Sequence, residues 1–182
     1  MDSKLILVDG YNVIRNMQGL AVAERFSLAA GREALLAQVT ARFRHTPHRV
    51  VVVFDGDGAV ETRQAIARMG RGQMVFTPRG VTADTVIGRL AAEAHSDGLS
   101  VLVCTNDLAV RTETSATGAQ HANVSELGRA LNAAPQHIER RFRHQQAVRK
   151  QWEADDGETA RPRKGNPRRA PKRRRGTSDS KF

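Results

Sequence analysis

A chain of 182 residues with 40% hydrophobic content has room for one ordinary domain and an appendage. Its single cysteine, Cys104, excludes an intramolecular disulfide and a cysteine metal cluster, and no apolar run reaches membrane-spanning length. The N-terminus lacks the basic-then-apolar pattern of a signal peptide, so the expectation is a soluble, cytoplasmic protein.

The net charge of +10 is unevenly spread: residues 161–176 hold nine Lys and Arg and no acid, leaving the remainder nearly neutral. Of 29 basic residues five are lysine and 24 arginine. Guanidinium forks bind phosphate bidentately, which points to nucleic acid, although a GC-rich genome also enriches arginine. Charge alone does not separate RNA from DNA.

In chain order, Leu5-Ile-Leu-Val8 reads as a strand buried on both faces that stops at Asp9, with Gly10 letting the chain turn away. Asp9 has two readings, a turn cap or an acid at the carboxyl edge of a parallel sheet. A loop with Asn12, Arg15 and Asn16 is expected next, then a helix from Ser27 to Arg44. Arg49 to Phe54 predicts a second strand ending at Asp55, and 59–72 reads as a short helix or a basic loop. Gln73 to Phe76 predicts a third strand, and Thr82-Ala83-Asp84 opens a helix to His95. A fourth strand from Ser100 to Cys104 ends in Thr105-Asn106-Asp107, at the start of another helix. A short fifth strand falls between Gly118 and Val124, and Ser125 is expected to cap a helix to Ala133. Strands alternating with helices imply an α/β fold with a central parallel sheet.

The remaining chain divides at about residue 134. Residues 135–153 read as a basic helix, and 154–182, poor in apolar residues, as a disordered tail. Arg140 and Arg141 in the helix, with Arg168, Arg169, Arg173, Arg174 and Arg175 in the tail, are the expected RNA-binding cations.

Four acids share one address: Asp9, Asp55, Asp84 and Asp107 all fall at strand-to-helix junctions, which lie on one edge of a parallel sheet. Each also suits a turn or a helix N-terminus. Converging carboxylates repel, and a divalent cation removes that cost; oxygen-only donors favour Mg²⁺ or Mn²⁺ over zinc. The histidines are scattered, and no Walker loop, dinucleotide fingerprint or nucleophile elbow occurs.

The segments Val8-Asp9-Gly10-Tyr11-Asn12, Val53-Phe54-Asp55-Gly56, Thr82-Ala83-Asp84-Thr85-Val86-Ile87 and Thr105-Asn106-Asp107 resemble the NYN domain, in particular the YacP-like branch of the PIN-like ribonucleases. The resemblance spans residues 1–133, and Ile138-Glu139-Arg140-Arg141 is also similar to that branch. It implies a PIN-like three-layer fold with strand order 3-2-1-4-5, Asp9 and Asp107 side by side and Asp84 over them. It also implies metal-dependent cleavage of RNA. The branch commonly has Glu where Gly88 stands and Ser where Asn106 stands.

On this reading the protein is an endoribonuclease using Mg²⁺ or Mn²⁺. Asp9, Asp84 and Asp107 hold the metal, and Asp55 is a further ligand or orients water. Asn12 braces Asp9 or binds the scissile phosphate. Thr105 and Asn106 orient carboxylates or touch phosphate. The target is mRNA or rRNA, with the ribosome as a partner. The alternative, raised by Gly88, is an RNA-binding protein that keeps the fold and cuts weakly. Tyr11 is the aromatic beside the site, and it suits either base stacking or packing beneath the turn.

Overall fold

A computed structural model describes residues 3–133. The basic helix of 135–153 and the tail of 154–182, with the seven arginines named in them, lie outside the described residues.

Strand β1 (Lys4–Asp9) is the axis of the fold. Its side chains alternate between two cores, as the period of a strand requires. Leu5 and Leu7 pack with Val86, Ile87 and Leu90 of helix α4 (Ala83–Ser96). Ile6 and Val8 pack with Leu35 and Val39 of α3 (Leu28–Phe43) on the other face. Strand β1 therefore has helices above and below, which is why its sequence is an unbroken apolar run.

Six strands form the sheet, in order β3-β4-β2-β1-β5-β6. Strands β2 (Arg49–Gly58), β4 (Gly72–Pro78), β5 (Ser100–Cys104) and β6 (Gln120–Ala122) run parallel with β1, in the PIN-like order expected. The addition is β3 (Thr62–Ala65), an antiparallel edge strand paired with β4. It falls in the stretch expected to be a short helix or a basic loop. All four of its side chains are exposed, so no apolar alternation marks it; main-chain pairing and the buried Ile66 and Met69 behind it hold it in place.

The segment expected to be a loop after Asp9 is helical. Helix α1 (Gly10–Asn16) buries Tyr11, Val13 and Ile14, and α2 (Gln18–Phe26) buries Leu20. Both are too short to show a long periodic stripe, and their stability comes from that packing. Gly10 is accordingly the first residue of a helix, and close packing is what demands glycine there. A Cβ at position 10 would clash with the Cδ1–Cε1–Cζ edge of the Phe54 ring. Phe54 is fully buried, edge-on to Tyr11 and stacked on Phe76.

Helices α5 (Leu108–Ser115) and α6 (Val124–Asn132) complete the layers. The cap of α6 is Asn123, in a reciprocal capping box with Glu126, rather than Ser125. The chain passes from β1 to β2 through α1–α3 on one face, then from β4 to β5 through α4 on the other. The direction of winding thus reverses between β1 and β5, where open α/β sheets leave a crevice at their carboxyl ends.

Gly10→Ala should lower stability by about 1–3 kcal/mol, the usual cost of overpacking a core. Urea unfolding checks this, with a reduced midpoint at unchanged slope as the expected outcome.

Candidate functional site

The crevice is organised by two neighbouring strand ends. Val8 pairs with Cys104, so the next residues, Asp9 and Thr105, emerge side by side. Asp9 is 6% exposed and Thr105 fully buried. The Thr105 hydroxyl donates to Asp9 Oδ2 at 3.2 Å, and the Asn12 N–H donates to Oδ1 at 3.2 Å. Thr105 Oγ1 in turn accepts from the Asp107 N–H at 3.0 Å. Cys104 is buried, with its thiol pushed up to about 12 by burial and by Glu126, and is inert.

Asn12 serves Asp9 with its backbone N–H and braces the opposite loop with its side chain. Its Oδ1 accepts from the Asn106 N–H at 3.0 Å, while Asn106 Oδ1 accepts from the Val124 N–H at 2.9 Å. Asn106 thereby ties α1 to the start of α6. Tyr11 packs beneath the turn: it is buried, and its hydroxyl accepts from Arg32 at 2.7 Å. It is not free to stack on a base.

The turn-cap and site readings of the acids are compatible. Asp9 is the N-cap of α1, and Asp107 is the N-cap of α5, where its Oδ1 accepts from the Ala109 N–H at 2.7 Å. Asp55 Oδ1 accepts from the Ala83 N–H at 2.7 Å, reaching across to the first residue of α4. Asp84 lies in the first turn of that helix. Four carboxylates are thus held at three helix N-termini, where the macrodipole favours negative charge. Asp55 Oδ2 and Asp107 Oδ2 accept no hydrogen bond among the described residues.

These charges sense one another. Burial, with Asp84 and Asp55 nearby, raises the Asp9 carboxyl to about 6 despite its two hydrogen bonds. Asp84 is raised by burial and then by Asp107, Asp55 and Glu113. Among the described residues no cation pairs with any of these five acids. Nor do three His, Cys, Asp or Glu side chains among the described residues stand together as a ready metal cage.

Glu113 is the member that sequence reasoning missed. It sits on α5 against α4, and its Oε1 lies 2.8 Å from where a Cβ of residue 88 would be. Gly88 therefore makes room for a carboxylate from another helix, four residues along from Asp84. A glycine within the buried stripe of a helix signals such a close approach, and that was the available clue.

Residues 6–161 match the YacP-like NYN domain. The chain belongs to that family. The YacP-like NYN family lies within the PIN-like nuclease superfamily. An uncharacterized YacP protein of Bacillus subtilis is 30% identical over 141 residues, covering 76% of this chain and 81% of that protein. The crystal structure of Rae1 (YacP) from Bacillus subtilis has a TM-score of 0.62 at 27% identity, covering 87% of this chain and 89% of that one. A point mutant of the same protein has a TM-score of 0.63 at 29% identity, with 78% and 82% covered. No helix among the described residues is long and apolar enough to cross a membrane.

An acid whose pKa is higher folded than unfolded stabilises the fold when protonated and loses that contribution as pH rises. In EDTA, stability should therefore fall between pH 4 and 6, on the order of 3 kcal/mol from Asp9 at about 1.4 kcal/mol per unit. Asp9→Asn keeps a good cap and should flatten that slope while raising stability at neutral pH. Urea denaturation across the pH series checks it.

Proposed function

We propose that this protein is an endoribonuclease dependent on Mg²⁺ or Mn²⁺, with its active site at the carboxyl edge of the sheet. The carrying observation is the set of mutually coupled, cation-free acids around Asp9 and Asp84 in a chain of the YacP-like NYN family.

The donor set is oxygen-only and anionic, which suits a hard cation. Mg²⁺ commonly keeps several waters and uses one or two carboxylates plus substrate phosphate, so a three-acid cage is not required of the protein alone. Asp9, Asp84 and Asp107 would hold the ion, with Asp55 and Glu113 adding negative charge around it. When bound, the ion supplies Lewis acidity and activates water at neutral pH. The Thr105 hydroxyl fixes the rotamer of Asp9. The Asn12–Asn106 hydrogen bond fixes the loop bearing Asp107. Asp55, whose Oδ2 accepts no hydrogen bond among the described residues, orients the attacking water. Water oxygen bonds to phosphorus as the bond to the 3′ oxygen breaks, leaving 5′-phosphate and 3′-hydroxyl ends.

With Tyr11 buried, base readout by stacking at this edge is weak. Target choice among mRNA or rRNA is then assigned to a partner, the ribosome or a structured RNA, in the cytoplasm. The arginines of 135–182 supply attraction to the RNA backbone, with affinity that falls steeply with salt. The second reading is an RNA-binding protein that keeps the fold and cuts weakly. What favours it is that no three acids among the described residues form a ready cage.

Labelled RNA incubated with Mg²⁺, Mn²⁺ or EDTA separates the two. Asp9→Asn and Asp84→Asn should each cut at least about 100-fold more slowly. Cleavage in EDTA, or full activity in both variants, would sink the proposed site. Tight binding without cleavage of naked or ribosome-bound RNA selects the binding protein. Glu113→Gln should weaken Mn²⁺ binding about 10–100-fold by calorimetry; unchanged affinity would remove Glu113 from the site.

A further inference from the structure

The opposite edge of the sheet carries the opposite charge. Two stretches of the domain contain no acid, 34–54 and 62–83, and between them they hold seven arginines. The fold brings cations from both to the amino ends of the strands. Lys4 opens β1, Arg49 opens β2, and Arg71 immediately precedes β4. These three line one cavity of about 460 Å³, floored by Gly70, Gly72 and Leu5.

The hydrogen bonds that position these side chains go to neutral acceptors. Arg71 donates to the Pro47 carbonyl at 3.0 Å, Arg49 to Gln73 Oε1 at 3.4 Å, and Lys4 Nζ to Gln120 Oε1 at 2.8 Å. Among the described residues no carboxylate pairs with any of the three, Asp97 after α4 included. The surplus charge is felt locally. Burial, with Lys4 and then Arg42, holds the His48 imidazole below its usual range. The His48 Nδ1 accepts from the Lys4 N–H at 3.3 Å, which binds the turn before β2 to the start of β1.

Like charges gathered in a recess, without counter-charges, are complementary to an anion. Two of the three are arginine, whose planar fork matches phosphate oxygens bidentately. The recess is separated from the acidic edge by the length of β1, roughly 17 Å at about 3.3 Å per residue. A long polyanion is the ligand class that reaches both edges. We infer that Lys4, Arg49 and Arg71 form a phosphate-backbone contact surface, through which the domain itself grips RNA away from the acidic edge. Only the choice of RNA rests on the proposed function; the binding surface requires no cleavage.

The test is arginine modification by phenylglyoxal on the full chain in EDTA, with and without saturating single-stranded RNA a few tens of nucleotides long, read by peptide mass spectrometry. Arg49 and Arg71 should react several-fold more slowly with RNA bound. A paired measurement follows binding against salt. Arg49→Glu/Arg71→Glu should reduce the slope of log affinity against log salt by about 1.4, at ~0.7 per single-strand phosphate contact. If that variant melts early, Arg49→Gln/Arg71→Gln replaces it, and the modification experiment needs no variant. Unchanged rates at Arg49 and Arg71 under RNA that protects the arginines of 161–176 would overturn the inference. Protection by anionic vesicles or polyglutamate but not by RNA would overturn it too. Because no metal is present, these outcomes are independent of whether the acidic edge cuts. Absence of cleavage with protection intact would discard the nuclease and keep the surface.

Discussion

A carboxylate buried at the end of a strand is the constraint on which the rest of this structure turns. Asp9 is taken almost wholly out of water, and an uncompensated charge there is costly. Its compensation comes from the Asn12 N–H in the first turn of α1 and from the hydroxyl of Thr105. Both depend on topology. Helix α1 must start at once after β1, and β5 must pair with β1 in the register that sets Cys104 opposite Val8. A slip of one residue would turn Thr105 to the other face. Asp9 nevertheless keeps a raised pKa, since two hydrogen bonds do not offset burial beside Asp84 and Asp55. The cost that remains is set by the neighbouring carboxylates as well as by burial.

The domain is close to neutral in sum but not in distribution. Acids collect where strands end and helices begin, and cations collect where strands begin. Helix N-termini account for the first, because carboxylates there cap backbone N–H groups. No comparable structural demand accounts for Lys4, Arg49 and Arg71, whose partners are neutral amide oxygens. The ion pairs among the described residues lie elsewhere: Glu61 takes Arg63 and Arg89, Glu93 also takes Arg89, and Glu24 takes Arg15. Such pairs contribute little to stability, but they show that arginines near an acid do pair in this fold. Among the described residues, Lys4, Arg49 and Arg71 at the amino edge pair with no acid.

Glu113 and Gly88 illustrate how a site can be composed across two helices. The departure at Gly88, seen along the chain, reads as a missing acid. In three dimensions the space a side chain would have filled is occupied by the carboxylate of Glu113. Burial, then Asp107 and Asp55, and last Glu113 raise the Asp84 carboxyl, so the helix that lacks an acid at position 88 still has one beside it from α5.

The sequence by itself determined the buried strands, their parallel arrangement and four acids that follow their apolar runs, although β2 continues past Asp55 to Gly58. Each of those rests on local pattern: unbroken apolar runs, helical spacing after them, and an acid at the junction. The short helices α1 and α2 were not legible, because their stability comes from burying Tyr11, Ile14 and Leu20 against distant residues. Nor was β3, whose exposed side chains carry no alternation and whose order comes from main-chain pairing with β4. Only the tertiary structure decided that Tyr11 is packing, that Asn12 braces the Asn106 loop, and that Glu113 joins the acidic edge. These are relations between side chains far apart in the chain, and a one-dimensional pattern encodes the faces of elements but not which faces meet.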